Sequence, residues 1–439
     1  MSALRTLVMM MITTLVPSFC FAHPFTLQTR LSHGQLWSDG HTKTYLKVML
    51  RGEETNGKRT PVNLALVIDR SGSMSGQRIL QAKEAARTAI RLLQPDDIIS
   101  LIAYDSSAEV LVPASKIGDG QLLFHAIDQL HPRGSTALYA GTQLGAQEVR
   151  KFLKTENVNR VLLLSDGIAN IGPSSPTELA KLGIELAREG ISVSTIGIGL
   201  GYHEDLMTQL ASSSDGNHAF VEHPERLATI MSYELNDATS VVARDLTIEI
   251  KLPMGVRPVR ALGRAATIDG QLVTSRIKDL ISQVERYVLI EVELDEEITR
   301  KSFKFAEVEI SYHDQKGRKE HVSDQIFTRV AHSADEMDRS AYPDIMENVV
   351  SFLAHEQQKM AIQLKDQGED DRAAEVMEQT TAYLQEQAQK LDSKKLRAME
   401  ERRRQDTAII KKKGATREWG RSRKALRQEA YSDEAQMGY

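Results

Sequence analysis

The feature of this sequence that most constrains its fold is the regular alternation of apolar runs and amphipathic stretches between residues 62 and 242. The apolar runs are "VNLALVID", "IISLIAY", "RVLLLS" and "ISVSTIGIG". The stretch at residues 77–94 places Ile79, Ala86 and Leu93 on one helical stripe, with charged residues largely on the other side. Because uninterrupted apolar strands need cover on both faces, this alternation predicts a doubly wound α/β domain with a mainly parallel sheet.

Strand patterns without intervening helices flank this region on both sides. Residues 25–58 contain "FTLQTRL" and "YLKVMLR", and residues 245–328 contain "RDLTIEIKL", "QLVTSRI", "YVLIEVEL" and "FAEVEISYHD". The alternation of apolar and polar residues in several of these runs is typical of antiparallel strands with one face in solvent. The few N-terminal strands cannot form a core alone. Both groups are therefore expected to build one β-sandwich, into which the α/β domain is inserted.

Beyond residue 331 the pattern changes to that of helices. Two apolar stripes, at residues 345–364 and 377–391, are separated by "KDQGED", which predicts a helical hairpin. Residues 394–427 then hold 14 Lys and Arg against 4 Asp and Glu. This basic segment fits either a solvated helix with a frayed tail or a docking surface for an anionic partner at the cell envelope.

The first residues have the pattern of a secretory signal peptide. Arg5 precedes an apolar stretch that ends in Cys20, Phe21 and Ala22. Cleavage is therefore expected after Ala22, and the mature protein is expected in the periplasm or outside the cell. Two alternatives are a retained membrane anchor, for which the apolar stretch is short, and a lipid anchor on Cys20, which is the only cysteine.

Together these patterns predict the domain organisation of the chain. The segments are a signal peptide at residues 1–22, N-terminal sandwich strands at 23–60, the α/β domain at 61–243, the remainder of the sandwich at 244–330 and a helical region with a basic tail at 331–439. A length of 439 residues is ample for several structural units. The net charge of -5 is not typical of a nucleic-acid-binding protein, so no nucleic-acid partner is expected.

Oxygen-bearing side chains follow two of the apolar runs and one glycine-containing loop. Asp69 ends "LALVID", and the next residues, "RSGSMSG", contain Ser71 and Ser73. "RGSTALYAG" places Thr136 in a loop before a helix, and "RVLLLSDG" ends another strand with Asp166. Ligands of open α/β sheets bind outside the carboxyl ends of the strands. Because carboxylate and hydroxyl oxygens are hard ligands suited to Mg²⁺, one cation site is expected there.

This pattern resembles the signature of the von Willebrand factor A domain, with its metal-ion-dependent adhesion site. The matching residues are Asp69, Ser71, Ser73, Thr136 and Asp166. The resemblance covers about residues 62–242 and implies that the serines and the threonine hold the ion directly or nearly so, whereas the aspartates often act through water. The implied ion is Mg²⁺, with Mn²⁺ or Ca²⁺ as alternatives. The implied function is non-catalytic: the ion bridges to an acidic residue of a partner protein. The flanking segments are similar to those of exported bacterial proteins that carry this domain.

Two other interpretations of the motif stay open. In a Mg²⁺-dependent phosphohydrolase with an Asp nucleophile, Asp69 would attack phosphorus and Asp166 would hold the ion. Such enzymes usually carry a second acidic residue two positions after the nucleophile, where this chain has Ser71. They also carry a phosphate-binding lysine, whereas the loop that contains Asp166 has no lysine. Alternatively, these residues have kept the fold of the domain, but the domain no longer binds a metal ion. Arg70 and Met74 lie within the motif and are given no ligand role, although they could affect partner choice.

The histidines near the end of the α/β region do not form a zinc motif. "YHEDLM" lacks the second histidine of a zinc-protease helix, and His218 and His223 lie apart from it. These residues are interpreted as surface histidines. In "GIGLGYHED", Tyr202 occupies the third glycine position of a dinucleotide fingerprint. Turns at strand ends therefore explain these glycines better.

Overall fold

The structure is a computed structural model, which describes residues 23–37, 42–54, 59–154, 157–166, 169–199, 202, 204–221, 229–232, 234–235, 240–294, 302–412, 417–434 and 436. The expected signal peptide at residues 1–22 and the expected surface residues His203 and His223 lie outside this range. None of the helices within it is both long and apolar enough to cross a membrane.

The order of strands and helices follows the three sequence patterns. The strands are β1 (Phe25–Leu31), β2 (Gln35–Leu36), β3 (Thr42–Gly52), β4 (Val62–Asp69), β5 (Ile98–Tyr104), β6 (Ala108–Lys116), β7 (Val158–Ser165), β8 (Ile191–Ile198), β9 (His218–Val221), β10 (Val241–Lys251), β11 (Val256–Leu262), β12 (Ala266–Asp269), β13 (Leu272–Ile281), β14 (Glu285–Leu294), β15 (Ser302–Asp314) and β16 (Lys319–Val330). The helices are α1 (Gln77–Leu92), α2 (Gln121–Asp128), α3 (Leu138–Arg150), α4 (Pro176–Arg188), α5 (Glu204–Ser213), α6 (Ala334–Arg339), α7 (Pro343–Asp366), α8 (Asp370–Lys390), α9 (Lys394–Ile410) and α10 (Arg417–Glu434), and a short 3-10 turn spans Gly72–Met74.

The α/β unit is built on a central sheet with the strand order β6-β5-β4-β7-β8-β9. Its strands pair in parallel except for β6, which runs antiparallel to β5. Every residue of β4 is buried. This burial arises because α1 packs Ile79 and Ala82 against one face of the sheet, and α3 packs Ala146 and Val149 against the other. The predicted doubly wound, mainly parallel sheet is therefore confirmed.

The strands outside this unit form two further sheets, with the orders β1-β3-β14-β11 and β12-β13-β10-β15-β16-β2. β3 lies before the α/β unit and pairs with β14 after it, so that Leu46 stands opposite Ile290. Both residues share one apolar core with Ile248 of β10 and Ile310 of β15. The α/β unit is therefore inserted in a sandwich, as predicted. The sequence patterns did not predict β2, β11, β12 and β16, because β2 and β12 are short and the other two contain charged residues.

The C-terminal region is a group of packed helices rather than a hairpin with a frayed tail. α7 and α8 form the predicted hairpin, and α9 and α10 add Ile410, Trp419 and Leu426 to its apolar core. Arg403 of α9 is completely buried and pairs with Glu429 of α10 at 3.1 Å. The frayed tail is therefore wrong for the described residues. Some of the basic residues form ion pairs within the chain. A docking surface for an anionic partner stays a prediction.

α10 joins the helical region to the edge of the central sheet. Lys424 Nζ donates to the carbonyl oxygen of Tyr202 (2.6 Å) and to Oε2 of Glu204 (2.7 Å). The hydroxyl of Tyr431 accepts a hydrogen bond from the backbone N–H of His218 at 3.1 Å. All of these groups are buried. These contacts fix α10 against β9 and the start of α5.

His218 of β9 is buried, with 2% of its surface exposed, so its interpretation as a surface histidine is wrong. Thr195 Oγ1 lies 2.8 Å from its Nδ1, and the Tyr202 hydroxyl lies 3.2 Å from its Nε2. Because Thr195 donates its own proton to the carbonyl of Met207, a neutral ring with the proton on Nδ1 satisfies these contacts. Burial lowers the pKa of His218 to about 3, and the charge of Lys424 acts in the same direction.

We expect the buried neutral His218 to make the fold sensitive to acid. In the unfolded chain the ring takes up a proton near pH 6.5, whereas in the folded chain it does so only near pH 3. Its contribution to stability is therefore complete above pH 6.5 and is lost as the pH falls toward 3. One unit below pH 6.5, the loss is about 1.4 kcal/mol. Urea unfolding near pH 7.5 and near pH 5.5 measures this loss. His218→Gln should reduce the difference between the two conditions by that amount, and an equal difference in both proteins would contradict the assignment.

Candidate metal centre

The carboxyl ends of β4 and β7 mark the point where the chain leaves the central sheet in opposite directions. The two strands are parallel neighbours. The chain after β4 leads to β5 on one side, whereas the chain after β7 leads to β8 on the other. Asp69 is the last residue of β4, and Asp166 directly follows β7. A ligand crevice forms at such a switch point, and two of the predicted site residues stand on either side of it.

Asp69 is completely buried, and both of its carboxylate oxygens accept hydrogen bonds. The backbone N–H of Ser71 donates to Oδ1 at 2.8 Å. The hydroxyls of Ser165 and Tyr104 donate to Oδ2 at 2.6 and 3.3 Å. Burial raises the pKa of Asp69 to about 6, and the charge of Asp166 adds to this rise, while the hydrogen bonds from Ser165 and Ser71 oppose it. The orientation of the carboxylate is therefore fixed by three donors, of which Ser165 and Tyr104 were not among the predicted site residues.

One serine of the motif, Ser71, precedes the short 3-10 turn that follows β4, and the other, Ser73, lies within it. Their Oγ atoms are 3.0 Å apart, with Ser71 buried and Ser73 half-buried. Met74 of the same turn is completely buried in the apolar core. Arg70 is nearly buried and pairs with Asp105 at 2.8 Å. Burial of Met74 and Arg70 gives no support to the idea that these side chains affect partner choice. The side chains of this turn that can offer oxygens to a ligand are therefore those of Ser71 and Ser73.

Hydrogen bonds from backbone N–H groups hold the Thr136 loop against the other two loops of the site. The N–H of Gly72 donates to the carbonyl of Gly134 at 3.0 Å, and the N–H of Thr136 donates to Oδ1 of Asn170 at 2.8 Å. Gly134 has a φ of +67°, and a Cβ there would lie 2.7 Å from Oγ of Ser106. Only glycine fits this position without strain. Thr136 is thereby placed between the serine loop and the loop after Asp166, with 2% of its surface exposed.

Asp166 is completely buried, and only one of its two carboxylate oxygens is paired within the described part of the chain. Its Oδ2 accepts a hydrogen bond from Nη1 of Arg78 at 3.0 Å, and the same nitrogen donates to the carbonyl of Ser73 at 2.8 Å. Its Oδ1 is buried and lacks a hydrogen-bond partner in the described part of the chain. Sequence reasoning missed Arg78. The only signal was a long basic side chain at the second position of the helix that follows the motif.

The oxygens at this edge of the sheet fit a hard divalent cation. They comprise two carboxylates and serine and threonine hydroxyls, which are the ligand types that Mg²⁺ and Ca²⁺ prefer. The unpaired Oδ1 of Asp166 is the kind of atom that a bound cation would satisfy. Within the described ranges, no group of three or more His, Cys, Asp or Glu could hold a metal ion. The candidate centre therefore depends on hydroxyl oxygens as well as carboxylates.

Comparisons with known proteins agree with this fold. Residues 63–232 match the sequence profile of the von Willebrand factor type A domain. An uncharacterized protein of Synechocystis is 28% identical over 346 residues, which cover 75% of this chain and 80% of that protein. The mouse inter-alpha-trypsin inhibitor heavy chain H2 is 28% identical over 167 residues, which cover 36% of this chain and 17% of that protein.

A solved structure extends the similarity beyond the α/β unit. The von Willebrand factor type A protein from Catenulispora acidiphila superposes with a TM-score of 0.70 at 14% identity, over 94% of this chain and 96% of that chain. At this identity the similarity concerns the fold alone. It nevertheless includes most of the sandwich and helical region as well as the central sheet. The names of the two sequence relatives describe no catalytic activity.

Proposed function

Since residues 63–232 form a von Willebrand factor type A domain, we propose that this chain is a non-catalytic protein-binding module that works with a divalent cation. Domains of this family typically bind a divalent metal ion and mediate contacts between proteins. The proposed ligands are Asp69, Ser71, Ser73, Thr136 and Asp166. The proposed ion is Mg²⁺, with Mn²⁺ or Ca²⁺ as alternatives, and the proposed partner is a protein that presents an acidic residue.

The observation that supports this proposal best is the unpaired, buried oxygen of Asp166. Oδ1 of this residue lacks a hydrogen-bond partner in the described part of the chain. It belongs to the carboxylate that Arg78 links to Ser73, next to the pair of converging serine hydroxyls. A buried carboxylate oxygen that accepts no hydrogen bond is costly, even where the other oxygen of the same group is paired. An ion held at this point would satisfy this oxygen and the hydroxyl pair together.

The proposed site residues would differ in what they supply: some carry negative charge, and others are neutral oxygen ligands. The hydroxyl oxygens of Ser71, Ser73 and Thr136 are uncharged metal ligands, so Asp69 and Asp166 supply the negative charge. A bound Mg²⁺ would supply a Lewis-acidic position that accepts a carboxylate oxygen of the partner. The buried strand ends and the hydrogen-bonded loops hold the ligands in place before binding. A preformed site lowers the ordering cost of the complex.

The geometry favours this function over the phosphohydrolase. A nucleophilic carboxylate needs a free oxygen that faces the substrate. Asp69 is completely buried, and both of its oxygens already accept hydrogen bonds, from Ser71, Ser165 and Tyr104. These contacts suit a residue that orients a site rather than one that attacks phosphorus. We therefore propose that the chain is not an enzyme.

Capture of cell-envelope proteins on the immobilised full-length chain tests the proposed function. We expect a partner that binds in Mg²⁺ and is released by chelator. Conversion of the carboxylates in the extract to amides should abolish capture, because the partner then lacks its acidic ligand. Thr136→Ala should reduce capture, whereas Thr267→Ala, on the edge strand β12 of the sandwich, should not. Equal capture in chelator, or hydrolysis of a phosphoester that Asp69→Asn removes, would contradict the proposal.

We further propose that the protein is exported, with cleavage after Ala22 by a signal peptidase. The supporting feature is the sequence itself, in which Arg5 precedes an apolar stretch and a short region of small residues. The expected result is a mature amino terminus at His23 in the periplasmic or secreted fraction. Mass spectrometry of the cellular protein measures this, and an intact Met1 in most of the molecules would refute export by this route.

A further inference from the structure

Arg78 is held at the candidate metal centre by contacts on several sides. Nη1 bridges the carbonyl of Ser73 and the Oδ2 of Asp166, at 2.8 and 3.0 Å. Its stem passes over Gly199, where a Cβ would lie 2.9 Å from Nε of the arginine. Its side chain is only 33% exposed, and that of Asp166 is fully buried. Arg78 is therefore fixed at the site rather than a mobile surface residue.

The charges at the site show what a fixed arginine does there. Asp69 and Asp166 together would present two negative charges to a divalent cation and would neutralise it. The guanidinium of Arg78 balances one of them, so the protein contributes only one net negative charge. A site of this kind holds the ion less tightly, because a positive charge nearby repels it. The loaded site then keeps a net positive charge, which attracts an anion.

We infer that Arg78 is a built-in counter-ion of the metal centre, which weakens cation binding and keeps the loaded centre attractive to an acidic partner. This inference rests on the proposed function, because it assumes that the same five residues hold the ion. It makes Arg78 a positioning and charge-setting residue rather than a ligand. It also gives the buried carboxylate of Asp166 a cationic partner whenever the divalent ion is withdrawn.

Calorimetric titration of the full-length protein with Mg²⁺ alone tests this role. Arg78→Gln removes the charge while keeping hydrogen-bonding groups, and Arg78→Met is a second charge-removing variant should the first fail to fold. Both are expected to bind Mg²⁺ about tenfold more tightly than the parent protein. Arg78→Lys keeps the charge and should stay within about threefold of the parent. The matched control is Arg91→Gln on the same helix, whose side chain is 60% exposed and contacts only Glu84 among the described ion pairs; it should have no effect.

The possible outcomes separate the inference from the proposed function. Unchanged or weaker Mg²⁺ binding in both charge-removing variants, with normal binding in the parent, would overturn the role of Arg78 and leave the proposed function standing. Equal tightening in Arg78→Lys would also overturn it, because side-chain size rather than charge would then be the cause. Binding by Arg78→Gln but not by the parent would show that Arg78 weakens cation binding, but it would contradict the proposed function and, with it, the attraction of an acidic partner to a loaded centre. Binding by neither would refute both.

Discussion

Replacement of Asp69 by alanine is expected to abolish the stabilisation of this protein by Mg²⁺. An ion that binds only the folded state stabilises it by roughly 1.4 kcal/mol at ten times its dissociation constant. Asp69 supplies one of two carboxylates and also orients the turn that carries Ser71 through the hydrogen bond to its N–H. Both the charge and the geometry of the site are therefore lost. Melting temperatures measured with Mg²⁺ and with chelator should become equal in the variant.

The same substitution is also expected to lower the free energy of unfolding in chelator. The hydroxyls of Ser165 and Tyr104 lose their hydrogen bonds to the Asp69 carboxylate, and the loss of a hydrogen bond to a charged group costs about 1.5–3 kcal/mol. Asp96→Ala is a suitable control, because that side chain is 86% exposed and lies outside the site. It should retain the full response to Mg²⁺. A full response in Asp69→Ala would show that the ion binds elsewhere.

Removal of the Glu204 carboxylate is expected to destabilise the protein by about 3–5 kcal/mol, because it removes the acidic partner of a buried ion pair and leaves the basic partner in place. Glu204 and Lys424 lie 2.7 Å apart with side chains 6% and 7% exposed, and Arg423 also contacts Glu204. In Glu204→Ala, Lys424 stays buried without its carboxylate partner, whereas Arg423 keeps its ion pair with Asp366. Denaturant unfolding of the full-length protein measures the effect.

An exposed ion pair provides the comparison for this prediction. Glu309 and Lys251 lie 2.9 Å apart with side chains 47% and 49% exposed, so Glu309→Ala should cost less than about 1 kcal/mol. Similar costs for the two substitutions would show that α10 does not depend on the Glu204 contact. A larger cost for Glu204→Ala would show that this contact fixes the helical region to the α/β domain.

Local patterns were sufficient to predict the inner strands β4, β5, β7 and β8 of the central sheet and to bring two carboxylates of the candidate site to one edge of it, but not the antiparallel edge strand β6. Asp69 and Asp166 could be placed together because each follows an apolar strand, and parallel strands end at the same edge of a sheet. Ser71 and Ser73 follow from their positions in the loop after the first of these strands. The sandwich followed from strand patterns on both sides of the insertion, although the charged strand β16 does not show the apolar alternation on which such a prediction depends.

The remaining features depend on contacts between distant parts of the chain. Arg78 is adjacent to the motif, but its partner Asp166 lies 88 positions later, in a different loop. His218 resembles a surface residue until α10 covers it, through a contact with Tyr431 that lies 213 positions away. The basic C-terminal segment similarly suggests a solvated tail until its partners, such as Glu204, are known. The spacing of apolar and polar residues within a short stretch of sequence cannot reveal contacts between residues so far apart in the chain.

The most direct test of the proposed function is an anomalous difference map from crystals of the full-length protein grown with Mn²⁺. Mn²⁺ takes the same kind of oxygen ligands as Mg²⁺ and can be located by its anomalous scattering. We expect one strong peak at the carboxyl ends of β4 and β7, within roughly 2.0–2.3 Å of the hydroxyl oxygens of Ser71 and Ser73. A peak elsewhere, or the absence of a peak at this site in Mn²⁺ concentrations that stabilise the protein, would contradict the account.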